Sequence, residues 1–277
     1  MTDTYAVIGN PIKHSQSPFI QHEFARQTGQ IMRYEAILAA LDSFAQTVKT
    51  FQQRGGKGMN ITVPFKLEAY ALATQLTDRA QAAQAVNTFK FGANGTILGD
   101  NTDGAGLVHD IEFNLGIPIA DKRILLMGAG GAAHGAILPL LQQHPALLAI
   151  ANRTPAKALA LQQQFAGHSS IAAGHYQDFA GTDFDILINA TSASLQDKLP
   201  PLPAGLFKTT ALAYDMLYSS KLTPFLIFAQ AQGAQHLADG TGMLVEQAAE
   251  SFFLWRGIRP KTQTVIKQLR DKLHHAS

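Results

Sequence analysis

The chain has 277 residues, 46% of them hydrophobic and 15% charged, with a formal net charge of +2 and no cysteine. That length suits about two domains, and the composition is that of a protein with a large packed core rather than a disordered chain. So small a net charge offers no strong field to nucleic acid or an anionic membrane, and without cysteine there are no disulfides, thiolate nucleophiles or cysteine-ligated metals. Apolar runs such as Ile124–Met127 and Leu147–Ala151 fall far short of the ~20 residues a bilayer needs. No basic stretch followed by a long apolar one opens the chain, so a cytoplasmic protein is expected.

The first third alternates short apolar runs with helical patterns. Tyr5–Ile8 reads as a strand stopped by Gly9-Asn10-Pro11. A helix over Pro18–Thr28 ends near Gly29, and Tyr34–Ile37 is a second strand. Asp42–Arg54 reads as a helix capped by Asp42, with Phe44, Val48 and Phe51 as its apolar stripe and Gly55-Gly56 as its stop. Gly58–Val63 is a third strand, closed by Pro64. Strand and helix in alternation predict a mostly parallel sheet with helices packed on it. Val86–Phe91 and Thr96–Gly99 form a predicted hairpin around Asn94-Gly95. A helix over Asp103–Leu115 then leads to a second α/β region.

That region opens with the strand Arg123–Met127, followed at once by Gly128, Ala129, Gly130, Gly131 and Ala132 and a helix to about Gln143. A glycine turn between strand and helix lets backbone N–H groups and the positive helix end approach a diphosphate. The next strand, Leu147–Ala151, ends in Asn152-Arg153-Thr154, with Lys157 just beyond. NAD sites place a carboxylate ~20 residues past the loop, against the free ribose hydroxyl. Here no acid stands there, and Arg153, Thr154 and Lys157 suit a phosphate, so NADP is the predicted coenzyme. Thr154-Pro155 is also a sound helix start, and the two roles are compatible. Pro155–Phe165 follows as a helix, then strands at Asp185–Asn189 and Ala211–Tyr214, and helices at Met243–Trp255 and Lys261–His274.

Four small polar groupings sit at the ends of the apolar runs of the first region: His14–Pro18, Asn60–Lys66, Val86–Thr88 and Asn101–Gly104. Ligands of open α/β sheets bind beyond the carboxyl ends of the strands. Each grouping alone could be a turn or a cap. Together they offer hydroxyls, amides, one lysine and one aspartate, a set suited to a small hydroxylated acid. The chemistry can be argued from these groups. Hydride reaching a ketone carbon creates an alkoxide that needs a proton. An ammonium on Lys66 can stabilise the developing charge and then protonate it, and a carboxylate on Asp103 would hold that ammonium in place. The ten histidines are scattered without ligand spacing, and no metal is predicted.

Nine ordered motifs give a resemblance to the shikimate dehydrogenase family over nearly the whole chain: Tyr5–Pro18, Asn60–Lys66, Ala85–Thr88, Gly99–Gly104, Gly128–Ala133, Asn152–Thr154, Asn189–Ser192, Tyr214–Tyr218 and Asp239–Val245. The resemblance implies reversible NADPH-dependent reduction of 3-dehydroshikimate to shikimate, in aromatic amino-acid biosynthesis, with Lys66 and Asp103 as the catalytic pair. It implies that Ser15 and Ser17 hold the substrate carboxylate and that Thr62, Asn87, Asp103, Tyr218 and Gln247 complete the substrate site. Gly128, Ala129, Gly130, Gly131 and Ala132 would cradle the diphosphate, and Asn152, Arg153, Thr154 and Lys157 the phosphorylated ribose. Met216, Gly240 and Met243 would line the nicotinamide side, and Asp78 would lie near the coenzyme.

The implied organisation is α/β: an open, mostly parallel substrate domain over residues 1–102, a Rossmann-type NADP domain over 103–239, and C-terminal helices over 240–277 that return to the first domain. Ser194, Gln84, Thr241 and His134 depart from the family pattern. The expected partner is a small-molecule substrate, without nucleic acid or membrane, in a monomer or homodimer. The alternatives are an NAD-dependent quinate/shikimate dehydrogenase, a related reductase acting on another scaffold, and a non-catalytic relative that senses shikimate or NADP. Intact Lys66 and Asp103 oppose the last of these, and the missing acid near Asn152 opposes the first.

Overall fold

The computed structural model describes residues 2–168, 170–196 and 198–275. They divide into two compact units, one running to Gly106 and taking back Val245–Leu269, the other spanning Leu107–Leu244 and the segment from Arg270 onward.

The first unit carries β1 (Asp3–Gly9), α1 (Ser17–Thr28), β2 (Met32–Leu38), α2 (Phe44–Gln53), β3 (Gly56–Ile61), α3 (Lys66–Leu72), β4 (Gln75–Leu76), α4 (Asp78–Ala83), β5 (Thr88–Phe91) and β6 (Ile97–Asp100), and α5 (Asp103–His109) begins in it. Its sheet runs β2-β1-β3-β5-β6-β4. The three strands at one side are parallel, and the β5–β6 hairpin adds antiparallel pairs. Burial explains the choice of elements: β1 is an apolar run covered on both faces, whereas α2 buries only Phe44, Val48 and Phe51. Phe44 stacks on Phe65 at 4.9 Å inside a core that also holds Ile8, Met59 and Phe89. One expectation fails at α2. Asp42 does not cap it, because the cap position falls one residue later on Ser43, whose hydroxyl donates to the Ala40 carbonyl instead.

The second unit carries β7 (Arg123–Met127), α6 (Gly131–Leu141), β8 (Leu147–Ala151), α7 (Pro155–Gln164), β9 (Ile171–Gly174), β10 (Phe184–Asn189), β11 (Phe207–Asp215), α8 (Pro224–Ala231) and β12 (His236–Asp239). Its sheet is wholly parallel in the order β12-β11-β10-β7-β8-β9. Counted along this unit the order is 3-2-1-4-5-6, the doubly wound arrangement of dinucleotide-binding domains, and it reverses between β7 and β10. The core strands are largely apolar runs, as strands buried on both faces tend to be.

Helix α9 (Thr241–Arg256) starts in the second unit and continues in the first, and α10 (Gln263–His275) ends the chain. The helix expected over Asp103–Leu115 is α-helical only to His109 and widens into a π-turn at Asp110–Asn114. Asp110 is buried there and accepts the Tyr214 hydroxyl at 2.7 Å. Among the described residues no helix is long and apolar enough to cross a membrane.

Candidate active site

Lys66 opens α3 directly after the β3 loop, and its backbone carbonyl accepts the Val86 amide at 3.0 Å. Its Nζ donates to Asp103 Oδ2 at 2.6 Å. The two side chains are 33% and 14% exposed, so the pair is sheltered yet open to a ligand. The other oxygen, Oδ1, accepts Asn87 Nδ2 at 2.8 Å. Asn87 is locked in turn: its Oδ1 accepts the Thr102 amide at 2.9 Å, and its Nδ2 lies 3.5 Å from Gln247 Oε1. Gly106 lets α5 press against α9 at this point, since a Cβ there would meet the Gln247 backbone. Lys66, Asn87, Asp103 and Gln247 are thus gathered by one set of hydrogen bonds.

Ser15 and Ser17 belong to the turn after β1, where the Ser17 amide donates to Ser15 Oγ at 3.3 Å. Ser17 also hydrogen-bonds the Tyr34 hydroxyl; burial pushes that phenol well above its ordinary range, and the Ser17 bond pulls it back only in part. Tyr34 donates to Asn60 Oδ1 at 2.7 Å, and Asn60 Nδ2 donates to Thr88 Oγ1 at 3.0 Å and Ser251 Oγ at 2.9 Å. Thr88 then donates to Asn87 Oδ1 at 2.9 Å. The serine turn and the Lys66–Asp103 pair are therefore ends of one buried polar chain. Sequence reading picked out its ends, with Asn60 and Thr88 inside polar groupings, and missed the roles of Tyr34 and Ser251. Thr62 sits beside the turn: its amide donates to the Ile8 carbonyl at 3.0 Å, and its methyl occupies the space a Cβ on Gly9 would need.

In the second unit a cavity of about 490 Å³ opens at the carboxyl ends of β7 and β10, where the strand order reverses. It is lined by Gly128, Ala129, Gly130, Gly131 and Ala132, by Asn152 and Arg153, and by the stretch after β10 that includes Thr191 and Lys198. Gly128 has φ +111°, and a Cβ on it would lie 3.1 Å from the Ala190 carbonyl oxygen, so the turn requires glycine. Gly130 and Gly131 differ. A Cβ on either would meet no described atom within 4 Å beyond its chain neighbours and its own helix backbone, so packing against other elements does not explain them. Open space above backbone N–H groups at the start of α6 is what a diphosphate needs. Among the described residues the lining contains two cations, Arg153 and Lys198, and no carboxylate, which suits a coenzyme with an added phosphate. The residues present therefore fit NADP. Arg153 also acts on Tyr176, whose phenol burial pushes up and the guanidinium charge draws back.

The model of the shikimate dehydrogenase substrate binding domain matches residues 7–89, that of shikimate / quinate 5-dehydrogenase residues 112–196, and that of the shikimate 5'-dehydrogenase C-terminal domain residues 240–270. The chain is 70% identical over 273 residues to shikimate dehydrogenase (NADP(+)) of Nitrosomonas europaea, covering 99% of both. The chain belongs to the shikimate dehydrogenase family. Among solved structures, an Ael1 enzyme from Pseudomonas putida is similar with a TM-score of 0.93 and 53% identity, over 97% of this chain and 98% of that one. Shikimate 5-dehydrogenase from Thermus thermophilus, in complex with NADP(H) and shikimate, is similar with a TM-score of 0.86 and 32% identity, over 98% of this chain and 100% of that one.

Other residues singled out by the shikimate dehydrogenase resemblance take distinct places. Thr154 and Lys157 lie exposed at the start of α7 and do not line the cavity, and Asn152 Nδ2 donates to the Thr154 carbonyl at 3.0 Å. Asp78 is exposed on α4 of the first unit. The Met216 amide donates to the Asn189 carbonyl at 3.0 Å, and a Cβ on Gly240 would strike the Met216 carbonyl, so these loops touch. Met243 lies in the first turn of α9, and its amide donates to the Tyr214 hydroxyl. Tyr218 follows β11, half-buried, with its phenol pushed up by burial. The departures from the family pattern find partners too. Ser194 donates to the buried Asp215 Oδ2 at 2.7 Å, Thr241 donates to Asp239 Oδ2 at 2.9 Å, and Gln84 takes a left-handed φ of 50° to end α4.

Proposed function

We propose that the protein catalyses the reversible NADPH-dependent reduction of 3-dehydroshikimate to shikimate. The observation that carries this reading is the Lys66–Asp103 contact at 2.6 Å, with Asn87 on the second carboxylate oxygen. Support for the coenzyme comes from the glycine-lined cavity with Arg153 and, among its described residues, no carboxylate. The first unit, with the part of α9 that returns to it, is the substrate domain, and the second is the coenzyme domain.

Ser15 and Ser17 bind the substrate carboxylate through their hydroxyls. Thr62, Asn87, Asp103, Tyr218 and Gln247 complete the substrate contacts. In the second unit, Gly128, Ala129, Gly130, Gly131 and Ala132 hold the diphosphate, and Asn152, Arg153, Thr154 and Lys157 hold the phosphorylated ribose. Met216, Gly240 and Met243 border the nicotinamide, and Asp78 contributes on the coenzyme side.

NADPH, when bound, supplies the hydride. Lys66 donates a hydrogen bond to the ketone oxygen, and as the carbonyl π electrons move onto that oxygen its ammonium passes over a proton. The neutral amine regains a proton from solvent. Asp103 keeps Nζ aimed while this happens, and Asn87 keeps Asp103 from turning. In the oxidative direction the neutral amine accepts the proton from the substrate hydroxyl.

The test is a steady-state comparison of 3-dehydroshikimate and 3-dehydroquinate, each with NADPH and NADH. Highest kcat/KM for 3-dehydroshikimate with NADPH is expected. A preference for NADH or for the quinate pair would overturn the reading.

A further inference from the structure

Arg79, on α4, bridges two segments that carry the candidate site. Its Nε and one Nη donate to the two oxygens of Asp100 at 2.7 and 2.6 Å, and its other Nη donates to Glu250 at 3.2 Å. Asp100 is 1% exposed and ends β6, immediately before the Asn101-Thr102-Asp103 turn. Glu250 lies on α9 one turn beyond Gln247 and also pairs with Arg259.

The connection from Arg79 to the reacting groups is short. Asp100 Oδ1 also accepts the Asn101 amide at 2.8 Å and the Thr77 hydroxyl at 2.6 Å. Asn101 Oδ1 accepts the Asp103 amide at 3.2 Å, and its Nδ2 donates to the Ala85 carbonyl at 3.1 Å. The carboxylate gripped by Arg79 thereby sets the peptide that presents Asp103 to Lys66. The grip on Glu250 sets the stretch of α9 that presents Gln247 to Asn87. A planar guanidinium can hold both carboxylates at a defined angle, with three donors used, whereas a lysine ammonium is a point charge that cannot reproduce the fork.

We propose that Arg79 is a positioning residue for the reduction: by clamping Asp100 and Glu250 together it aims Asp103 at Lys66 and holds Gln247 in place. It acts through Asp100 and Glu250. The proposal rests on reading Lys66 and Asp103 as the reacting pair.

The experiment compares Arg79→Lys, Arg79→Met and Glu250→Gln in the full chain. It measures kcat and KM for 3-dehydroshikimate, coenzyme binding by titration with NADP, and thermal unfolding. Misaiming a proton donor raises the transition state more than it weakens ground-state binding. Arg79→Lys is therefore expected to lower kcat about ten-fold while KM rises less than about three-fold and NADP affinity stays within about two-fold. Arg79→Met should lose more, and Glu250→Gln about three-fold, because a carboxamide oxygen still accepts. Lys66→Met and Asp103→Asn are assayed alongside. If those two keep wild-type kcat, the site reading itself falls. If they lose it while Arg79→Lys keeps more than half, or loses only in KM, the site stands and the role given to Arg79 falls. An Arg79→Lys chain that no longer folds would make the residue mere scaffold and overturn the proposal as well.

Discussion

Asp103 divides its two oxygens between Lys66 and Asn87, at 2.6 and 2.8 Å. The lysine that would protonate the product oxygen is thus held by a carboxylate that is itself unable to swing away. General acid catalysis contributes about 10²–10⁴-fold. Lys66→Ala should lower kcat by about that factor, while NADP binding, measured by titration, stays unchanged because the coenzyme cavity is built from other residues. Retained turnover would remove Lys66 from the chemistry.

Arg153 lines the cavity at the glycine loop, where no described residue is an acid. A hydrogen bond to a charged group is worth about 1.5–3 kcal/mol. Arg153→Ala should therefore raise KM for NADPH about ten- to a hundred-fold and leave KM for NADH nearly untouched. Equal losses with both coenzymes would mean that the guanidinium does not read the extra phosphate.

The glycine loop separates folding from binding. Gly128 has a left-handed φ of +111° and the Ala190 carbonyl against it. Gly128→Ala should cost about 1–3 kcal/mol of stability in urea unfolding. Gly131 lies in the first turn of α6 with open space above it. There Gly131→Val should leave stability unchanged or slightly raised, since valine is the better helix former, yet weaken coenzyme binding about ten-fold or more by filling the room a diphosphate would use. If binding survives Gly131→Val, the diphosphate does not sit over this turn.

Tyr34 and Tyr214 are buried, and their phenols titrate well above 10.0, through burial in both and through the neighbouring Asp110 charge as well at Tyr214. A raised folded value holds the proton in the native state after the unfolded chain has begun to lose it. The stabilisation is complete below pH 10.0 and is lost as pH rises beyond that toward the folded values. Urea unfolding followed from pH 8.5 upward should show stability declining above about pH 10. Tyr34→Phe and Tyr214→Phe should each flatten that decline, and an unchanged slope in both would assign alkaline unfolding to other groups.

Much of the molecule is legible in local signals. The runs that became β1, β3, β7 and β8, the glycine stops after α1 and α2, and the loop opening α6 are all written by neighbours in the chain. Short elements were not: β4, β9 and β12 span only two to four residues, too few for a period to register. Of the expected coenzyme residues, the glycine loop, Asn152 and Arg153 line one cavity, whereas Thr154 and Lys157 stand on the exposed start of α7.

By itself the amino-acid order determined the two α/β units, the glycine loop with its basic neighbour, and the identity of the polar groups offered at strand ends. Periodicity, turn chemistry and residue type are properties of a few consecutive positions, so they survive without coordinates. Only the tertiary structure decided which polar groups meet. Lys66 and Asp103 are 37 positions apart, Asn60 and Ser251 are 191 apart, and Arg79 reaches Glu250 across 171. A hydrogen bond a few ångströms long between such distant positions depends on how strands register and helices pack, and no local pattern encodes that.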